Sequence, residues 1–277
     1  MAAQAMPAVP DGVRPPGPTV IVTRPAAQAT GWVASLRGLG VDAVALPLIE
    51  IRPAPDPQAV RRAWQSLAAT PGATAMFVSP NAVRVFFDAA PAREGADGGA
   101  WPASATALAT GPGSVAALRE AGVPDDRIVA PAPDSPRFDS EALWSVCKDR
   151  DWRGRDAWIV RGSGGRDWFA TRLAEAGARV SVVAAYERAD VAWSDDQRAL
   201  VARACAEPER WIWLFSSSEA IERLAGLAPG RDWSASRAFA THPRIAATAC
   251  DAGFGRVDEV GVAPQAVAER LRSADRH

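Results

Sequence analysis

Histidine, cysteine and tyrosine are nearly missing from this chain. Its 277 residues include two histidines, three cysteines and one tyrosine. His277 is the last residue, so only His242 falls among predicted elements, and no HExxH pair or Cys/His cluster can be drawn; no metal site is predicted. Cys147, Cys205 and Cys250 are far apart, odd in number and form no CxxC pair. A disulfide framework is therefore excluded, and a reducing compartment fits. Charge of one sign is also lacking. Thirty-one Lys and Arg stand against 32 Asp and Glu, for a net charge of −1, which gives no footprint for nucleic acid. No apolar run approaches the roughly 20 residues of a membrane span. No GxGxxG follows a strand and no GxxxxGK[ST] is present, so dinucleotide and P-loop readings have nothing behind them. No Ser/His/Asp or Cys/His arrangement offers a nucleophile.

What is present is a globular composition, 48% hydrophobic and 23% charged, and a length that favours two domains. Residues 1–18 are Pro-rich with no continuous apolar region, and read as a disordered tail rather than a signal peptide. From Thr19 onward short apolar strands alternate with helical patterns. That alternation predicts an α/β fold with mainly parallel sheets and helices on both faces. The segment from Ala43 to Ile51 reads as one long apolar strand, interrupted by Pro47, which suits an edge or a linker. The plan also repeats. VIVTRP through LPLIEI (Val20–Ile51) can be laid over AWIVRGSGG through AAYER (Ala157–Arg188). SPNAV at Ser79 matches SSEAI at Ser217, and the segment at Ala107 matches the one at Ala238. The last offset is shorter by the length of a loop, and Pro91 to Pro102 looks like an insertion. Two copies of one α/β plan are expected.

In such sheets ligands sit beyond the carboxyl ends of the strands. Those ends carry Arg24; Ser79 and Asn81; Thr110, Gly111 and Gly113; Arg161, Gly162, Ser163, Gly164 and Gly165; Ser216, Ser217 and Ser218; and His242 with Arg244. Each strand–turn–helix unit points spare N–H groups at an anion, and Arg161 adds a fixed positive charge beside one of them. The same residues also have plainer readings: RGSGG as a tight turn, the serines and Glu141 and Gln265 as helix caps, His242 as a solvated turn residue. Tyr186 ends an apolar strand, with its ring expected inside and its hydroxyl reaching the site; a structural and a catalytic tyrosine fit equally. Few titratable groups and many hydroxyls suit a multiply anionic ligand and a reaction that depends on enclosure.

The ordered set VIVTRP, LPLIEI, FVSPNAV, ATGPGSVAALREAG, SEAL at Ser140–Leu143, VRGSGGRDWFATRLAEAGARVSVVAAYER and FSSSEAI resembles the bacterial uroporphyrinogen-III synthases over roughly Thr19 to Leu271. The resemblance implies two flavodoxin-like domains joined by a two-stranded linker. Domain one would comprise residues 19–46 and 190–272, the linker strands 47–53 and 181–189, and domain two 54–180. It implies a cytoplasmic, monomeric enzyme without cofactor or metal, acting on a linear tetrapyrrole. Hydroxymethylbilane would lose water, invert ring D and close to uroporphyrinogen III. Tyr186 matches the family tyrosine suggested to assist loss of the hydroxyl; Ser79, Glu141, Ser217 and Gln265 fall at polar substrate-facing positions. Where the family usually has Gly-Pro-Thr-Thr, this chain has His242-Pro243-Arg244-Ile245, and Arg244 is free to meet a substrate carboxylate. The competing reading is a two-lobed binding or sensor module for a small anion, without turnover.

Overall fold

The computed structural model describes residues 17–90 and 100–274. Nearly all of the predicted tail and most of the Pro91–Pro102 insertion lie outside the described residues. The chain begins β1 (Thr19–Val22), α1 (Ala26–Gly38), β2 (Ala43–Ala45), β3 (Glu50–Pro53), α2 (Pro57–Ala69), β4 (Thr74–Phe77) and α3 (Pro80–Asp88). It continues through β5 (Thr106–Ala109), α4 (Pro112–Glu120), β6 (Ile128–Val129), α5 (Ser140–Cys147), β7 (Asp156–Gly162), α6 (Trp168–Glu175) and β8 (Arg179–Ala189). The last third holds α7 (Asp195–Ala206), β9 (Trp211–Phe215), α8 (Ser218–Leu227), β10 (Arg237–Ala240), α9 (Pro243–Asp251), β11 (Arg256–Glu259) and α10 (Pro264–Ala274).

These elements form two compact units. One gathers the residues up to Glu50 and from Asp190 onward; the other spans Ile51 to Ala189. The first unit holds a five-stranded sheet in the order β11-β10-β9-β1-β2, parallel throughout. Read in unit order this is 2-1-3-4-5, the flavodoxin arrangement. The second holds six strands in the order β3-β8-β7-β4-β5-β6, parallel from β8 to β6. Central strands of both sheets are buried on both faces, as parallel strands covered by helices must be. In β9, Ile212 and Leu214 face one core with Val20, Val22 and Phe239, while Trp213 and Phe215 stack into a ring cluster with Trp233 and Phe254. In β4, Ala75 and Phe77 enter a core with Trp64, Phe86 and Trp101, and Met76 enters the opposite core with Leu143, Phe169 and Leu173.

The repeat is visible in space. β2-β1-β9-β10-β11 in one sheet corresponds, strand for strand, to β8-β7-β4-β5-β6 in the other. Along the chain, however, the pieces are exchanged. The β1–α1–β2 portion of the first repeat pairs with β9 of the second (Val20 opposite Ile212), whereas β7–α6–β8 of the second repeat pairs with β4 of the first (Trp158 opposite Ala75). β3 and β8, neighbours in the six-stranded sheet, are the strands through which the chain enters and leaves the second unit.

One expected element is divided. The long strand anticipated from Ala43 to Ile51 is two short ones in different sheets, β2 and β3. Pro47, between them, has no N–H to give a ladder. Leu46, Leu48 and Ile49 are nonetheless buried, which is why this stretch reads as strand from its apolar pattern.

Candidate active site

Helix starts dominate the carboxyl ends of both sheets, and proline is the reason. Pro80, Pro112 and Pro243 each occupy the first helical turn directly after a strand end, where a fixed φ suits the helix and the missing N–H costs nothing. In the second unit, Ser79 caps α3. Its Oγ accepts the N–H of Ala82 at 3.2 Å, which also keeps the hydroxyl at the sheet end. Asn81 follows in the first turn, half-buried. Thr110, at the end of β5, donates to the Val78 carbonyl at 3.4 Å, tying two adjacent strand ends together. Gly111 is the N-cap of α4 and is packed against Phe138; Gly113 lies one residue beyond Pro112, its backbone near Pro80.

Tyr186 meets this corner from β8. Its hydroxyl lies 3.0 Å from Ser79 Oγ, and Arg188 Nη2 donates to it at 3.4 Å, with the Arg188 guanidinium 5.7 Å from the ring centroid. Gly162 stands opposite Tyr186 in the β7–β8 register, just past a bulge, and Ser163 N–H donates to the Tyr186 carbonyl at 2.8 Å. The sequence led us to expect the ring inside and the hydroxyl at the surface of the site. The ring is inside, but so is the hydroxyl: Tyr186 is 0% exposed. Its hydrogen bonds to Ser79 and Arg188 take the place of solvent. Arg188 adjoins the tyrosine in sequence, yet two-residue spacing along a strand was its only signal.

Arg161 also differs from expectation. Rather than standing as a spare positive charge, it pairs with Asp167 at 2.8 Å and donates to the Arg166 carbonyl at 3.2 Å. Its side chain is 16% exposed and that of Asp167 is 72% exposed, so the partner is the solvated one. Ser163, Gly164 and Gly165 form an exposed loop, and α6 starts only at Trp168. Glu141 is not the cap of α5. Asp139 has that place and accepts the Ala142 N–H at 2.8 Å. Glu141 instead accepts two bonds from Arg166, at 2.7 and 3.2 Å. Those bonds hold its carboxyl below the ordinary glutamate range, and they fasten α5 to the RGSGGRD loop.

The first unit carries its own row. Arg24, after β1, lays its guanidinium 4.3 Å above the ring of Trp32 and donates to Gln28 Oε1 at 3.2 Å. Its Nε is shut from solvent without a hydrogen-bond partner among the described residues. Burial pulls its pKa down to about 10, so it is still a cation at neutral pH. No carboxylate of the described residues pairs with it. Ser216 ends β9. Ser217 is the N-cap of α8 but makes no side-chain cap bond, and Ser218 Oγ accepts from the Thr248 hydroxyl at 3.0 Å. His242 is a true cap: its Nδ1 accepts the Arg244 N–H at 3.1 Å. The Arg244 side chain is exposed, with no partner among the described residues. Gln265 is exposed near the start of α10. The predicted residues thus divide between the two units, and within each they follow the carboxyl ends of the strands, Gln265 at the start of α10 after the edge strand β11.

Residues 31–268 match the family described as uroporphyrinogen-III synthase HemD. The chain belongs to the uroporphyrinogen-III synthase family. It is 27% identical over 217 residues to the uroporphyrinogen-III synthase of Salmonella typhimurium, covering 76% of this chain and 80% of that protein. A crystal structure of a mutant uroporphyrinogen III synthase from Thermus thermophilus shares the fold with a TM-score of 0.58, at 19% identity over 94% of this chain and 100% of that one. The Helicobacter pylori enzyme does so with a TM-score of 0.54, at 14% identity over 93% and 99%. The chain is a uroporphyrinogen-III synthase in function, a cyclising lyase of tetrapyrrole and haem biosynthesis acting on a small-molecule substrate. The sensor-module reading is not favoured. Among the described residues, no helix is long and apolar enough to cross a membrane.

Proposed function

We propose that this uroporphyrinogen-III synthase holds hydroxymethylbilane by its carboxylates at the strand ends described above, and that its reactive corner is the meeting of Ser79 with Tyr186. The substrate carries eight carboxylates. Arg24 and Arg244 offer cations that no carboxylate pairs with among the described residues, and the starts of α3, α4, α8 and α9 offer oriented N–H groups; both suit anions without a dedicated pocket for each. Ser216, Ser217, Ser218, Thr110 and Asn81 add neutral polar contacts, and Gln265 adds one from α10. Glu141 and Arg161, each engaged in an ion pair, act on the substrate through the loop they shape.

Loss of the bilane hydroxyl leaves an azafulvene-type cation. The pyrrole itself drives that departure, so the protein's task is a hydrogen bond to the leaving oxygen, exclusion of water and orientation of ring D. The observation that carries the reading is the Ser79–Tyr186 hydroxyl pair at 3.0 Å, the one place where the single tyrosine meets a helix start at a strand end. We further propose that the enzyme is cytoplasmic and monomeric. Three free cysteines fit a reducing compartment, and only Val146, Val182 and Val262 are large exposed apolar residues among those described.

The test is product analysis. Hydroxymethylbilane generated in situ, with a chelator and no added cofactor, is expected to give mainly the type III isomer after oxidation and separation of the porphyrins. An isomer ratio equal to that of the enzyme-free control, with folded protein, overturns the reading.

A further inference from the structure

Tyr186 cannot touch a substrate from where it sits, yet its hydroxyl is tied to a group that can. Ser79 is partly buried just past the end of β4, while Tyr186 is fully enclosed behind it. Either oxygen could donate across this contact, and the surrounding donors favour one direction. A guanidinium has donors only, so in the Arg188–Tyr186 bond the tyrosine oxygen accepts. Its own proton is then left for Ser79 Oγ. The Ser79 oxygen also accepts the Ala82 N–H. A serine hydroxyl has two acceptor sites and one proton. With Tyr186 donating, both acceptor sites are filled from inside the protein, and the Ser79 proton is left for the open end of the sheet.

From this we infer that Ser79 is the residue that donates a hydrogen bond to the departing hydroxyl of the bilane, and that Tyr186 and Arg188 are positioning residues that aim its proton. This rests on the synthase reading above. In the step itself the C–O bond of the hydroxymethyl group breaks and its electron pair leaves with the oxygen. The leaving oxygen is stabilised by the Ser79 hydrogen bond and departs as water with a proton supplied along the Ser79–Tyr186 chain. Ring closure later releases one proton from a pyrrole carbon, which returns to that chain. No oxidant or reductant is consumed. Each bond in such a chain polarises the next, so the serine donates more strongly with Tyr186 behind it than alone.

The experiment is a double-mutant cycle read in kcat and product isomer. Ser79→Asp keeps an oxygen to cap α3, since aspartate is a good N-cap, but has no proton to give. Ser79→Asp and Tyr186→Phe are each expected to lower kcat roughly 10- to 100-fold, the scale of a positioned donor in general acid–base chemistry. The double variant is expected within about 3-fold of Ser79→Asp alone, because residues that act as a unit are not additive. Arg188→Lys, which still donates, should retain several-fold more turnover than Arg188→Met. Ser79→Ala serves in the cycle in place of Ser79→Asp should the aspartate unfold the protein, as judged by thermal melting. Losses that multiply in the double variant, or wild-type kcat in folded Ser79→Asp or Ser79→Ala, overturn the relay while leaving the synthase reading intact. Wild-type protein that makes no type III product overturns both.

Discussion

Gly162 and Tyr186 face each other across β7 and β8 in tight contact: a Cβ on Gly162 would sit 3.0 Å from Tyr186 Cε2 and 3.2 Å from Cζ, so the ring would have to give way. The contact is with a ring that is enclosed on all sides, so the ring cannot swing away freely. Gly162→Ala is expected to push the tyrosine hydroxyl off Ser79. Overpacking of this kind typically costs about 1–3 kcal/mol. Denaturant unfolding should register that loss, and turnover per folded molecule should fall with it. Wild-type stability and kcat in Gly162→Ala would mean that β7 and β8 part easily here.

Arg24 gives the opposite signature. Its guanidinium is desolvated, stacked on Trp32 and without a carboxylate among the described residues. Replacing a buried charge by an apolar side chain of similar shape is often neutral or stabilising. Arg24→Met is therefore expected to leave the melting temperature unchanged or raise it. A hydrogen bond to a charged group contributes about 1.5–3 kcal/mol, so KM for hydroxymethylbilane should rise roughly 10- to 100-fold with kcat little altered, and Arg24→Lys should recover part of the loss. Steady-state kinetics at constant ionic strength measure this. An unchanged KM removes Arg24 from the substrate contacts.

Glu141 and Arg166 make a pH-dependent tie. Arg166 lowers the Glu141 carboxyl from its ordinary value. A depressed carboxylate pKa contributes stability above the unfolded value, about 4.3, and that contribution is lost as pH falls through the folded value. The Arg166 side chain is 58% exposed, so solvent screening keeps the effect to a few tenths to about 1 kcal/mol. Glu141→Gln should unfold slightly more easily than wild type at pH 7, and the two proteins should converge well below pH 4. Urea titrations at both pH values check this, and a gap that persists in acid would assign the pair no electrostatic role.

The fold was legible where local chemistry decides it. Apolar strands such as Trp211–Phe215 and proline starts such as Pro80 and Pro243 stand where their sequences put them. So does the period that equates β1–α1–β2 with β7–α6–β8. The period alone leaves the grouping open, because a tandem repeat would place β1 beside β4. The structure places it beside β9, a choice made by long-range packing that no local pattern records; resemblance to a family supplied the discontinuous first domain. In the site, side chains bonded to their own helix, such as Ser79 and His242, were readable as caps or turn residues. The ones that differ from expectation depend on a partner outside their own helix. Asp167 takes up the Arg161 charge, Arg166 reaches 25 residues back to Glu141, and Ser79 lies 107 residues from Tyr186. Spacing along the chain carries no signal for such pairs.

The exchange of strands between repeats sets an order of events during synthesis. Everything the six-stranded sheet needs is present once Ala189 has emerged. The five-stranded sheet is then still missing β9, β10 and β11, and β1, the strand that β9 must pair with, was made first. Roughly 190 residues separate Val22 from Trp211, about 10 to 40 s of translation at 5–20 residues per second. Through that interval the apolar strand Thr19–Val22 and the buried face of α1 have only the short strand β2 beside them. Of the described strands β1 waits longest for its neighbour on that side, and its exposure is the one a nascent-chain chaperone would meet.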